Sequence, residues 1–309
     1  MTPPTAPPRK PRRPQPTERQ RAFAERALTT VRRRKVVNGV MTGLLSLAAA
    51  LATVPLILIF FHLLREGAGA VELHFFTSMP QPAGESGGGM ANAIIGTLIL
   101  IGIASALGLP VGIGAGLYLA ERGGTRLATL VRFLSDVLNG LPSIVMGIFA
   151  WQFLVRPMGR FSAIAGGVAL GAMMIPMVTR TTEEMVRLVP VSLREAALAL
   201  GYARWRTSMS IVLRTAAAGI VTGALVAIAR IAGETAPLLF TALGNQFWSV
   251  ELDQPIAALP LQIFTYAVSP YDDWHAQAWA GALVLITIVL VISVAARWVT
   301  RAKFSGGHD

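Results

Sequence analysis

Cysteine is absent from all 309 residues, which excludes a disulfide framework, thiolate metal sites and thiol catalysis. Charge is scarce as well. Only 14% of residues are Asp, Glu, Lys or Arg, against about a quarter in a soluble domain. Acidic residues are the rarer sign, 16 against 27 basic, for a formal net charge of +11. The four histidines, His62, His74, His275 and His308, are dispersed, with no two at the helical spacing a metal would need. There is no H-E-x-x-H, no G-x-S-x-G and no G-x-x-x-x-G-K-[ST] phosphate loop. Catalysis by this chain is not expected.

What the sequence has in quantity is apolar residues, 53% of the total, gathered into runs. Six runs approach or exceed the ~20 residues that span a bilayer core: about 40–64, 92–119, 131–155, 161–179, 212–242 and 277–297. The reading is an all-α polytopic membrane protein with six transmembrane helices and both termini on one side. The first run follows a 35-residue basic tail and lacks a small-residue cleavage site, so it reads as a span rather than a signal peptide.

Sorting the basic residues gives the orientation. Of the 27, 23 lie in the tail 1–35, the loop 120–132, the segment 180–214 and the C-terminal end. The opposite side holds Arg65, Arg156 and Arg160, and Arg230 sits inside an apolar run. Cytoplasmic loops carry the excess of Lys and Arg, so both termini are expected in the cytoplasm, and the basic pI reflects topology rather than a nucleic-acid partner. The chain divides into a basic tail 1–35, a first span with an extracytoplasmic segment 36–91, a core 92–297 and a tail 298–309. Seven prolines in the first sixteen residues preclude a helix there. The stretch "ERQRAFAERALTTVRRRK" reads either as a basic helix on anionic lipid or as a solvated tail. Outside, "PQPAGESGGG" reads as a flexible linker, and "DQPIAALPLQIFTYAVSP" as a short helix on the protein or at the interface, or else an ordered loop.

Charges within apolar runs are costly, about 3 kcal/mol or more, and normally face a cavity or a partner. Counted from a span start near Thr215, Arg230 lies about 15 residues in, ~22 Å along the axis, and Glu234 follows at i+4. They read either as a salt bridge locking helices together or as an anion site, since the planar guanidinium fork matches two oxyanion oxygens. Arg180 and Glu183, three apart after the fourth run, read as a solvated cytoplasmic helix start or as the inner lining of a path. Asp136, Asn139 and Ser143 form a polar stripe on the third run. The glycines of "GLPVGIGAGLYLAE" read as helix-packing contacts.

The cytoplasmic segment 180–214 is long for a connection between spans. "SLREAALALG" reads as a helix closed by a glycine C-cap at Gly201, and "ARWRTSMSIVL" as a second helix running into the fifth span. The pattern E-A-A-x-x-x-G, then nine residues, then I-x-L-P resembles the loop by which permease subunits of ABC importers engage their ATPase. It falls here on Glu195, Ala196, Ala197, Gly201, Ile211 and Leu213, with Arg214 in place of the usual proline. The stretches "GGGMANAIIGTLIL", "DVLNGLPSIVMGIF", "MMIPMVTRTTEEMVRLVP" and "ARIAGETAPLLFTA" are similar to the phosphate-specific permeases of that family, over about residues 70–300.

The resemblance implies a type I ABC importer permease fold, with about five helices from residue 92 and one preceding span. It also implies a PstC-like sister permease, two PstB-like ATPase subunits that bind ATP and magnesium in this chain's stead, and a PstS-like extracytoplasmic phosphate-binding protein. This chain would then supply half of a phosphate path, lined by Arg230, Glu234, Arg180 and Glu183, and couple it to the ATPase through Glu195–Gly201. A permease for molybdate or sulfate, and a stand-alone channel or secondary transporter, are the alternatives.

Overall fold

The computed structural model describes residues 18–85 and 87–304, with side chains over 33–85 and 87–298. The proline-rich opening and the last five residues, for which tails were expected, lie outside that range. Among the described residues the chain is helical, with one isolated bridge between Leu243 and Ile256. Two compact units result, residues 1–61 and 62–309.

In the first unit the described residues belong to one helix, α1 (Glu18–Gly67), which runs into the second. The basic stretch from Glu18 is thus the start of a long helix. Every side chain from Arg33 to His62 is exposed. A helix that is apolar on all sides, as here from Val36 to Phe61, finds its solvent in lipid.

The second unit continues with a 3-10 turn at Ala68–Ala70 and α2 (Leu73–Thr77), then α3 (Ala91–Glu121) and α4 (Arg126–Gly140). Next come α5 (Ser143–Ala150), a π turn at Trp151–Val155 and α6 (Arg156–Met158). The long α7 (Ala163–Arg187) leads to α8 (Val191–Ala199), α9 (Arg204–Thr207), a second π turn at Ser208–Val212 and α10 (Leu213–Ala232). The chain ends with α11 (Ala236–Thr241), α12 (Leu259–Ala267) and α13 (Asp272–Phe304). Thr125 and Ser162 cap α4 and α7, each accepting from the backbone N–H three residues on.

The most extensive helix pairing, α3 on α7, is made by small residues. A Cβ on Gly112 would lie 2.7 Å from that of Val178, and one on Gly116 2.5 Å from the Thr179 carbonyl. From the other side, Gly167 and Gly171 of α7 admit Ile103 and Leu107 of α3. Of the glycines expected to serve packing, Gly108, Gly112 and Gly116 do so and Gly114 does not; the core of Leu100, Ala104, Leu170, Met174 and Val178 closes around the contact.

Among the described residues five helices are long and apolar enough to cross a membrane, and one bent pair of helices passes the same test together. That pair corrects the expectation of one continuous span at 131–155. Helix α4 and the α5–α6 rod meet at 107°. Leu141, preceding Pro142, is extended at φ −73° and ψ 137°, because a residue before proline is pushed out of the helical region. Ser143 therefore begins a new helix and does not continue the stripe of Asp136 and Asn139. The fifth run is also shorter than expected. Its helix stops at Ala232, Gly233 breaks it, and 236–241 form a separate turn and a half.

Outside the spans, α12 is a helix on the protein rather than a loop, with Leu259, Leu261 and Tyr266 buried. The segment before it is pinned by backbone bonds from Ser162 to Thr241 O, Ile164 to Leu252 O and Ala163 to Gln254 O. Nor is the glycine-rich linker free throughout. Gly89 donates to Met79 O and Met90 to Phe75 O.

Gly116→Val should lower the thermal unfolding midpoint of the detergent-solubilised chain by an amount matching ~1–3 kcal/mol of overpacking. Gly114→Val is the control, since a Cβ there meets nothing within 4 Å; equal midpoints for the two variants would remove the close-packing account of α3 and α7.

Candidate substrate path and coupling turn

The fourth span carries its charges inside the helix, not beyond it. Helix α7 continues through Pro176 to Arg187, so Arg180 and Glu183 lie in its last two turns, and the reading as a solvated helix start is overturned. Glu183 is only 2% exposed. Its Oε1 accepts from Arg132 Nε at 2.8 Å and lies 2.6 Å from an Nη of Arg187, while Oε2 meets Arg180 Nη1 at 3.5 Å. Arg132 spends its two remaining nitrogens on Gly123 O (2.9 Å) and Leu119 O (3.1 Å) at the end of α3. Arg180 turns its fork to Asp136 of α4, with two bonds of 3.0 Å.

Three guanidiniums thus face two carboxylates, a net single positive charge. Glu183 has no surface to offer a passing ion, which corrects its expected place in the lining; Arg180, partly exposed, does. Arg132 and Arg187 were not read as part of this cluster, and Asp136 only as part of a polar stripe. The signal was present in Arg132 and Asp136, four apart on one face of an otherwise apolar segment.

The second charged pair is built differently. Arg230 stands in the last turn of α10, next to the buried Ile231 and Ala232 that anchor the helix end in the core. A cation there is favoured by the unpaired carbonyls of the helix C-terminus. Glu234 lies past the break, its N–H donating to Ile231 O at 3.2 Å. Its carboxylate lies 3.6 Å from Arg230 Nε, outside hydrogen-bond range. The Arg230 side chain is 55% exposed and that of Glu234 17%. This is a cation loosely attended by one carboxylate, facing open space. The pair sits at a helix terminus rather than in mid-span, and no ion pair joins it to the Arg180 network among the described residues.

On the connection between α7 and α10, α8 ends as the sequence predicts. Gly201 adopts φ +83°, the left-handed region that suits glycine. Its N–H donates to Leu198 O and that of Tyr202 to Ala197 O, the paired bonds of a Schellman cap. Glu195, Ala196, Leu200 and Gly201 are exposed, with Val191 and Trp205 beside them. Ala197 is not part of this surface. It is buried against the chain's own π turn, a correction to its expected docking role.

Removing the carboxylate from Glu183 leaves three arginines around a neutral amide. Glu183→Gln should cost the ~3–5 kcal/mol typical of a broken buried ion pair. Asp136→Asn, at a half-exposed site, should cost under ~1 kcal/mol. Thermal midpoints of the purified variants check this; similar losses in both would show that burial gives Glu183 no special weight.

Residues 112–304 match the family described as binding-protein-dependent transport system inner membrane component. The phosphate transport system permease protein PstA of Yersinia pestis is 49% identical over 249 residues, covering 80% of this chain and 84% of its own. That of Xylella fastidiosa is 46% identical over 268 residues, covering 86% and 93%. The fold matches an inward-facing conformation of the MetNI methionine ABC transporter, with a TM-score of 0.54 and 21% identity over 69% of this chain and 96% of that one. Residue pattern, helix architecture and relatives agree, and the chain belongs to the binding-protein-dependent transport system inner membrane components and, among them, to the PstA phosphate transport system permease proteins.

Proposed function

We propose that this chain is one permease subunit of an ATP-driven inorganic phosphate importer, and that Arg230 is the cation that phosphate meets on its way through. The supporting observation is the loose Arg230–Glu234 pair. At 3.6 Å it leaves a guanidinium fork half-exposed at the broken end of an apolar helix. Arginine is charged at every relevant pH and presents two parallel N–H donors to two phosphate oxygens. Phosphate at neutral pH still carries a proton, and Glu234 accepts that hydrogen bond. Sulfate and molybdate carry none, so the same carboxylate repels them. The contact is weak by design, because a path must release what it binds.

Arg180 is the second cation, nearer the cytoplasm. Asp136 and Glu183 fix its guanidinium, and the surplus positive charge of the network draws the anion inward. At the cytoplasmic face Glu195, Ala196 and the Gly201 turn dock on an ATPase, which binds ATP and magnesium and performs the hydrolysis. A PstC-like permease supplies the other half of the path, a PstB-like pair the ATPase, and a PstS-like extracytoplasmic protein the phosphate.

In this orientation α8 is cytoplasmic and the loop before α12 is outside. A membrane-impermeant thiol reagent applied to intact cells should label Gln246→Cys and reach Ala199→Cys only after permeabilisation. Labelling of both from one side would defeat the topology.

For the path, Arg230→Gln with Glu234→Gln separates the two roles of the pair. Loss of a charge-assisted hydrogen bond, about 1.5–3 kcal/mol, lowers phosphate uptake about 10- to 100-fold while the complex still assembles. Arg230→Lys falls between, having a point charge without the fork. Wild-type uptake by the double variant, normalised to assembled complex, would make Arg230 merely structural, and uptake of sulfate or molybdate in preference to phosphate would overturn the substrate.

A further inference from the structure

Resting on the docking of α8 to an ATPase, we infer that Arg194 is the positioning residue that carries movement of α8 to the inner ends of α3 and α7. Arg194 lies on α8 immediately before Glu195, on the side turned toward the protein. Its Nη1 binds Glu121 in the last turn of α3, and its Nη2 donates to Val186 O in the last turn of α7 at 2.9 Å. One side chain of the docking helix thus grips two transmembrane helices.

Three features set this contact apart from ordinary surface pairing. Both side chains are largely covered, Arg194 being 21% exposed and Glu121 30%. Glu121 is also misplaced for its own helix, since an acidic residue at a C-terminus opposes the helix dipole. Its value lies in the partner. Finally, the space beside the pair is open. A cleft lined by Glu121, Arg194, Leu198, Arg204 and Ser208 separates α8 from the start of the fifth span. Beside the packing of α8 on the neighbouring π turn, the bonds of Arg194 tie α8 to α3 and α7.

The receiving end is rigid. From the opposite side Arg132 binds Leu119 O and Gly123 O, on either side of Glu121, and also Glu183, one turn before Arg187 in α7. The last turns of α3 and α7 are therefore one block, joined to α4 by Arg132 and to α8 by Arg194. Displacement of α8 reaches that block, and the Arg180 guanidinium attached to it, through two arginine side chains in series.

The test uses the full complex in proteoliposomes, with labelled phosphate uptake and ATP hydrolysis measured together. Arg194→Gln should lower the phosphate moved per ATP about tenfold, within the range of site-to-site coupling energies. Arg194→Glu combined with Glu121→Arg should recover much of that ratio. Loss of assembled complex with an unchanged ratio would make the residue structural only, and an unchanged ratio at full assembly would overturn the inference outright.

A second measurement is independent of the transported ion. Spin labels on Ala199→Cys and Gly124→Cys should keep one narrow distance through nucleotide binding in the otherwise wild-type chain, and spread when Arg194→Gln is added. Equal distributions would overturn the proposal. A wild-type complex that moves no phosphate yet keeps the narrow distance would fault the substrate reading instead.

Discussion

A carboxylate withdrawn from water demands cations, and Glu183 obtains three. Removing an ion from water costs several kcal/mol even after relaxation, so each bond around it must hold. Arg132 comes from α4, Arg180 and Arg187 from α7, and Arg132 also binds the end of α3. Three helices are thereby fixed at one level. Above that level the glycine faces of α3 and α7 set their separation. Below it the α8 turn projects from the pair. Either change, a side chain on Gly116 or a neutral group at 183, acts on the same block.

Against this sealed cluster the Arg230 pair marks a contrast in use. Two arginines meet opposite surroundings. Arg132 has every nitrogen engaged. Arg230 has one distant carboxylate and half its surface open. Pairing that is complete makes a joint, and pairing left incomplete leaves a guanidinium half-exposed.

Much of this was legible in the sequence. Five of the spans and the Gly201 cap follow from apolar run length and from the glycine that ends "SLREAALALG". The packing role of the α3 glycines follows from their spacing. The elbow at Pro142 was not read, because hydropathy averages over 131–155 and is blind to one extended residue. The helix end at Ala232 was missed for a similar reason, since apolar residues continue past Gly233 and only the backbone records the break. Glu183 escaped because burial depends on what α4 brings across, a long-range contact that a local pattern cannot report. Arg230 and Glu234 were found as a pair, yet their looseness is a matter of tertiary geometry alone.

The elbow also bears on the membrane around it. The rod from Ser143 to Met158 is about 24 Å long at 1.5 Å per residue, against a hydrocarbon core of ~30 Å. Alone, the rod is shorter than that core. Helix α4, turned across it, exposes Leu127, Leu130, Phe133, Leu134 and Val137, an apolar row that can take up the shortfall in one leaflet. Only together do the rod and α4 reach the length and apolarity of one membrane span. Arg132 of α4 is bonded to Glu183, so a change in the angle of the elbow pulls directly on the buried cluster.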